Sequence, residues 1–162
     1  MKVYLSIGGN LGDREQNLEL ARRSIEEEIG KIILASSIYE TAAWGITDQP
    51  DFLNQVLEVE TALLPFEILD KIQQIEQKMG RVKIQRWGTR VIDVDILFYG
   101  NEIIQSQRLT IPHPGIPDRN FVLVPMREIA ADLWHPVLEK TIESLSLACP
   151  DLLEVKIFKE NY

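Results

Sequence analysis

Hydrophobic and polar residues alternate from the start of the chain. Val3, Leu5 and Ile7 interleave with Lys2, Tyr4 and Ser6, the two-residue period of a strand ending at the Gly8-Gly9 pair. The period then lengthens. Asp13 followed by Gln16 makes a capping box, Leu18, Ala21, Ile25 and Ile29 fall on one helical face, and Gly30 supplies a stop. Ile32 to Thr41 and Asn54 to Leu63 are rich in β-branched and aliphatic residues and predict two further strands, joined by a loop over Ala42 to Leu53. A second helix is predicted from Pro65, with Ile68, Leu69, Ile72, Ile75 and Met79 at helical spacing and Gly80 as its stop. Val91 to Tyr99 predicts a strand, after which Gly100-Asn101 signals a hairpin turn toward Ile103 and Ile104. The tail adds a helix around Val122 to Ala131 and a last strand over Leu153 to Phe158. This βαββαβ order predicts an α+β fold, the ferredoxin-like sandwich of an antiparallel sheet with helices on one face, plus C-terminal additions.

Composition narrows the class. The 162 residues are 45% hydrophobic and 26% charged, as expected of one globular domain without repeats or linkers. A single cysteine, Cys149, excludes an intrachain disulfide and a multi-cysteine zinc site, and it reads as a small buried hydrophobe. With no apolar run long enough for a membrane span and no signal-peptide core, the expected location is the cytoplasm. A formal net charge of −8 argues against general nucleic-acid binding, so any cationic patch must be local.

That patch exists immediately upstream of a pair of acids. On the predicted strand Val91 to Tyr99, Asp93 and Asp95 share a side with Val91, Leu97 and Tyr99, whereas Ile92, Val94, Ile96 and Phe98 share the other. The apolar side must pack on the helices, leaving two carboxylates on the open face with Cα atoms about 6.5–7 Å apart. Like charges this close call for a counter-cation, and hard oxygen donors suit Mg²⁺, which takes one or two carboxylates plus substrate phosphates. Gly80 to Arg90 carries Arg81, Lys83, Arg86 and Arg90 with no acid, a phosphate-binding composition leading straight into the acidic strand. Gly80 and Gly88 would let it close as a lid. Trp44, Phe52, Trp87 and Phe121 lie in other predicted loops, where aromatic faces with Asn54 at the edge suit a planar heterocycle. His113 is held between prolines, and His135 reads as structural. Gly8 to Gly12 matches neither a Walker loop nor a dinucleotide fingerprint and reads as a turn. These residues predict phosphoryl transfer to a small organic acceptor. A metallophosphohydrolase and an RNA-binding module are the rival readings, the latter opposed by the net charge and the acid pair.

The strings Arg86-Trp-Gly-Thr-Arg-Val-Ile-Asp-Val-Asp-Ile-Leu97, Arg108-Leu-Thr-Ile-Pro-His-Pro114 and Arg119-Asn-Phe-Val-Leu-Val-Pro125 resemble the 6-hydroxymethyl-7,8-dihydropterin pyrophosphokinase family of folate synthesis. Gly8 to Leu11, Tyr39 to Gly45, Asp48 to Asn54 and Glu76 with Arg81 keep that family's order and spacing, and the lack of a long extension suggests its stand-alone form. The resemblance implies transfer of the β,γ-diphosphoryl unit of ATP to the pterin hydroxymethyl oxygen, with release of AMP. It implies two Mg²⁺ ions on Asp93 and Asp95, a mobile basic loop carrying Arg81, Lys83 and Arg90, and a sealing role for Trp87. Gln73, Glu76, Arg86, Ile96, Arg108, Thr110, His113 and Arg119 match positions around ATP. Phe52 and Phe121 match the pair that stacks on the pterin, and Thr41, Ala42, Trp44 and Asn54 its edge-reading and covering positions. A monomer that needs only these small-molecule substrates is expected. Lys83 where an Arg is usual, Thr89 for a common Pro, Gly9 for Ser and Ala42-Ala43 for a proline-containing pair depart from the family, and the first two imply looser lid ordering.

Overall fold

The computed structural model describes residues 1–42, 50–80 and 91–160, and its elements follow the hydrophobic periods. Strand β1 (Lys2–Gly9) leads through Gly12, at φ +71°, into helix α1 (Arg14–Glu28). The Asp13 side chain caps α1 by accepting from the Gln16 N–H at 3.1 Å, and Leu18, Ala21 and Ile25 are buried. Strands β2 (Gly30–Ala35), β3 (Ile38–Thr41) and β4 (Phe52–Thr61) precede helix α2 (Pro65–Lys78), which starts with proline in its first turn and buries Ile68, Ile72 and Ile75. Strand β5 (Asp93–Tyr99) completes a βαββαβ core in which β2 and β3, both paired with β4, together take the place of the second strand. Two short hairpin strands, β6 (Ile104–Gln105) and β7 (Thr110–Ile111), lead through a 3-10 turn, Ile116–Asp118, to helix α3 (Asn120–Ala130). A second small hairpin, β8 (Trp134–His135) with β9 (Lys140–Thr141), leads to helix α4 (Ile142–Leu147) and strand β10 (Val155–Lys159).

The main sheet runs β10-β3-β4-β1-β5, with β2 also on β4, and its pairings are antiparallel. This is the ferredoxin-like order, lengthened at one edge by β10. Helices α1 and α2 cover one face, around Val3, Leu5, Ile7, Ile68, Ile72 and Val94. The expectation of helices on one face holds for these two. The C-terminal additions α3 and α4 pack on the opposite face, around Tyr4, Val56, Leu97, Phe98 and Leu123, so much of the face expected to be open is a second core.

Three local expectations are corrected. Ile32 to Thr41 is two strands, because Ser36 and Ser37 replace ladder bonds with their side chains. The Val56 N–H donates to Ser36 Oγ at 3.0 Å, and the Ser37 N–H and Oγ turn to Glu128 on α3. The turn at Gly100, at φ +51°, does not fold the chain back on β5; Ile104 pairs instead with Ile111. Strict alternation along β5 breaks at Leu97, where the register with β1 steps from Leu5↔Ile96 to Tyr4↔Phe98. This bulge puts Leu97 and Phe98 together in the α3 core and turns Tyr99 to the other side, where its hydroxyl donates to the Leu63 carbonyl at 2.7 Å.

Glu128 ties α3 to the sheet. It accepts from the Ser37 N–H, from Ser37 Oγ at 2.9 Å and from the Tyr39 hydroxyl at 2.6 Å, and burial with this carboxylate beside it pushes the Tyr39 phenol up. His135 is structural, as expected: its Nδ1 accepts from the Val137 and Leu138 N–H groups at 3.2 and 3.0 Å, and its ring meets Phe98 edge-on. Burial lowers its pKa. Cys149 is half-buried against the α3 core.

Glu128→Ala leaves the buried Ser37 amide and Tyr39 hydroxyl without their acceptor and is expected to cost about 2 kcal/mol in urea unfolding, with Glu128→Gln recovering much of it. The neutral His135 ring contributes stability that is fully present above its unfolded pKa of about 6.5 and is lost as pH falls toward its lower folded value. Thermal melts of His135→Asn, whose side chain still accepts the two N–H groups, should therefore fall less between pH 7 and pH 5 than those of the wild type.

Candidate active site

The site begins with β5. Ile92, Val94 and Ile96 point into the α1/α2 core, so Asp93 and Asp95 emerge on the opposite face, ahead of the bulge at Leu97. Asp93 is half-buried and Asp95 is exposed. Between them the backbone is fixed from behind: Glu76, buried on α2, accepts from the Val94 N–H at 3.0 Å. Glu76 thus meets the strand that carries the carboxylates and does not line the cleft beside it.

That cleft, of about 260 Å³, lies between α2, β5 and the segment around β7. Asp95, Ile96, Arg108, Thr110 and His113, drawn from separate stretches of sequence, line it together. Leu69, Ile72, Val94, Gln107, Leu109 and Pro114 complete its wall. The helical spacing of Leu69 and Ile72 predicts a core face and gives no sign that the end of that face opens on a cleft. The His113 Nδ1 accepts from the Gly115 N–H at 3.0 Å, which leaves the proton of a neutral ring to Nε2. Burial lowers the His113 pKa, Asp95 opposes that shift, and Arg119 adds to it. Arg108 forms an ion pair with Asp70 on α2 and lies 5.9 Å from the centroid of the Phe66 ring. Gln73 is exposed on α2.

A second group of expected residues gathers at the β3–β4 end of the same sheet face as the carboxylates. Thr41 and Asn54 are buried, and the Asn54 Nδ2 donates to Thr41 Oγ1 at 3.1 Å. Phe52 pairs across strands with Thr41 and is half-buried, while Ala42 is exposed. Phe121, at the start of α3, packs partly into the second core with the Arg119 guanidinium 5.7 Å from its ring centroid. Arg119 lies across Gly115, where a Cβ would come within 2.7 Å of Cζ, so the guanidinium bridges the His113 and Phe121 regions. Trp44, and Arg81, Lys83, Arg86, Trp87 and Arg90 of the basic loop, lie outside the described residues.

Comparison with known proteins gives the family and the fold. The family model described as 7,8-dihydro-6-hydroxymethylpterin-pyrophosphokinase matches residues 4–131. A 2-amino-4-hydroxy-6-hydroxymethyldihydropteridine pyrophosphokinase of Haemophilus influenzae is 46% identical over 135 residues, covering 83% of this chain and 84% of that one. One of the same name from Aquifex aeolicus is 43% identical over 143 residues, covering 87% and 88%. Among solved structures, a Plasmodium falciparum HPPK-DHPS chain with pteroate superposes with a TM-score of 0.76 at 20% identity, a likeness of fold. It covers 90% of this chain, which in turn spans only 42% of that longer one. The carboxylate pair, the cleft beside it and these matches together make the chain a member of the 7,8-dihydro-6-hydroxymethylpterin-pyrophosphokinase family, enzymes of folate biosynthesis that transfer a pyrophosphoryl group from ATP to the pterin alcohol.

Proposed function

We propose that Asp93 and Asp95 hold two Mg²⁺ ions against the triphosphate of ATP in the cleft of Thr110 and His113, while the pterin alcohol, seated by Asn54, Thr41, Phe52 and Phe121, attacks the β-phosphorus. The observation that carries this reading is the convergence of Asp95, Ile96, Arg108, Thr110 and His113 on one cleft next to the acid pair. The donor set suits the ion. Two carboxylates emerge from one strand, no cluster of three or more His, Cys, Asp or Glu is found among the described residues, and Mg²⁺ bound with substrate phosphates and water needs no third. When bound, Mg²⁺ neutralises phosphate charge and supplies Lewis-acid polarisation.

The protein residues supply the rest. Neutral His113 donates from Nε2 to a phosphate oxygen, and Arg108 and Arg119 stabilise negative charge that spreads during transfer. Leu69, Ile72 and Leu109 give an apolar wall for the adenine, with Gln73 at the rim. Arg81, Lys83, Arg86, Trp87 and Arg90 close over the phosphates, and Trp44 and Ala42 cover the pterin. Glu76 acts from behind the strand, holding the Val94 amide and so the relative placement of the two carboxylates. The 162 residues work as one catalytic domain, a cytoplasmic monomer that needs no nucleic acid or membrane; among the described residues no helix is long and apolar enough to cross one.

Incubation with Mg-ATP is expected to release AMP only when 6-hydroxymethyl-7,8-dihydropterin is present, and Asp95→Ala should lower turnover on the order of 10³-fold. Phosphate release from ATP without the acceptor would instead indicate a phosphohydrolase. In the same assay Glu76→Ala should lower kcat roughly 10- to 100-fold, as for other residues that orient ligands of a metal. Glu76→Gln, which can still accept from the Val94 N–H, should retain more activity; equal losses in the two variants would show that the negative charge, and not the backbone contact, is what matters.

A further inference from the structure

The Gly8 to Gly12 segment reads in sequence as a turn, yet β1 continues through Gly9, and Gly8 lies near the end of an interior strand, paired on both sides. Its direct neighbours are Asn54 on β4 and Asp93 on β5. Tyr39 on β3 lies opposite Asn54, so Tyr39, Asn54, Gly8 and Asp93 form one row across four strands. Opposed residues of antiparallel strands project to the same face. In this row Gly8 is the one position without a side chain, and it falls between the proposed reader of the pterin edge and a proposed metal carboxylate.

The gap is used. A Cβ built on Gly8 would lie 2.4 Å from Asn54 Oδ1 and 3.0 Å from the Leu53 carbonyl oxygen. The first separation is impossible for real atoms, so the Asn54 carboxamide lies across space that any other residue would fill. It is held there by its Nδ2 bond to Thr41 Oγ1 at 3.1 Å. Any side chain at position 8 must therefore turn the carboxamide away from Thr41. Two residues on, buried Asn10 donates from Nδ2 to the Pro50 carbonyl at 3.0 Å and fixes the approach to Phe52. The segment thus works from beneath on both ends of the acceptor seat.

We propose that Gly8 is a positioning residue for the acceptor: its missing side chain sets the plane of the Asn54 carboxamide, which reads the pterin edge. This rests on the reading of Asn54 as a pterin contact. Gly8 touches no reacting atom in this scheme and acts through Asn54.

The test is a double-substitution cycle on the full chain, using Gly8→Ala, Asn54→Ala and the pair, with steady-state AMP release measured against 6-hydroxymethyl-7,8-dihydropterin and against Mg-ATP separately. Wild-type turnover is the control for the reaction itself; its absence would count against the function, whereas the variants bear on Gly8. Gly8→Ala is expected to lower kcat/KM for the pterin about tenfold or more, since misplacement by about 1 Å can cost 10²-fold, and to leave KM for Mg-ATP within about twofold. In the Asn54→Ala background, where the obstructing oxygen is gone, the same change should lower kcat/KM for the pterin by less than about twofold. An unchanged pterin kcat/KM, equal losses toward both substrates, or the same factor in both backgrounds would overturn the proposal. If Gly8→Ala alone fails to fold, recovery of a cooperative thermal melt in the double variant supports it. Failure of the double variant as well would assign the constraint to the Leu53 backbone and overturn it.

Discussion

Burial of Ile92, Val94 and Ile96 between β5 and the two helices is the constraint on which the site depends. Each such side chain is worth about 1.5–3 kcal/mol when removed from water, and together they fix which way every residue between them must face. Asp93 and Asp95 emerge from the opposite side as a consequence of hydrophobic packing; no hydrogen bond need be spent to aim them. The bulge at Leu97 then ends the alternation at the point where the second core begins, so that two carboxylates stay near solvent while Leu97 and Phe98 are sealed under α3. Glu76 adds a polar restraint from the helix side, on the amide midway between the acids.

Electrostatics complete the division of labour. A chain with a net charge of −8 places the acids of the site on a strand, sets Arg108 in the wall of the cleft and brings Arg119 near enough to His113 to act on its charge. Arg108 is already engaged by Asp70, and Arg119 packs over Gly115 beside the Phe121 ring. Each cation is thus held by a neighbour, which would reduce the side-chain entropy lost in the proposed binding of phosphate.

Much of this was legible in the sequence because it follows from short-range periodicity. The order of elements, the Asp13 cap and the projection of the acid pair depend on neighbours a few residues away. What was not legible depends on distant ones. The break at Ser36-Ser37 follows from Glu128, which lies 91 residues along the chain from Ser37. The bulge at Leu97 is defined only against β1, and the second core requires α3 to fold back over the sheet. For the site, the convergence of Arg108, Thr110 and His113 with Asp95 is tertiary, and motif spacing reached it only through resemblance to a family. Gly8 belongs to a segment, Gly8 to Leu11, that keeps the family's spacing, but a glycine carries no side chain to which a motif can give a role; its significance appears only when the side chain of its cross-strand neighbour is seen lying over it.

On the proposed roles of Asn54 and Asp93, the row Tyr39, Asn54, Gly8 and Asp93 also makes the backbone interval between the two halves of the reaction a quantity that changes only in whole steps. Adjacent strands sit about 4.8 Å apart, so Asn54 and Asp93 are separated by two strand spacings, roughly 10 Å. Side-chain substitution leaves that interval untouched, and the next larger or smaller value requires a strand to be added, lost or slipped in register, which would send the neighbouring residues to the wrong face. A longer or shorter acceptor could be accommodated only by changing where along the row it is gripped. On that reading the sheet acts as a ruler graduated in whole strands, and the span offered to the acceptor is set by the architecture before any contact residue is chosen.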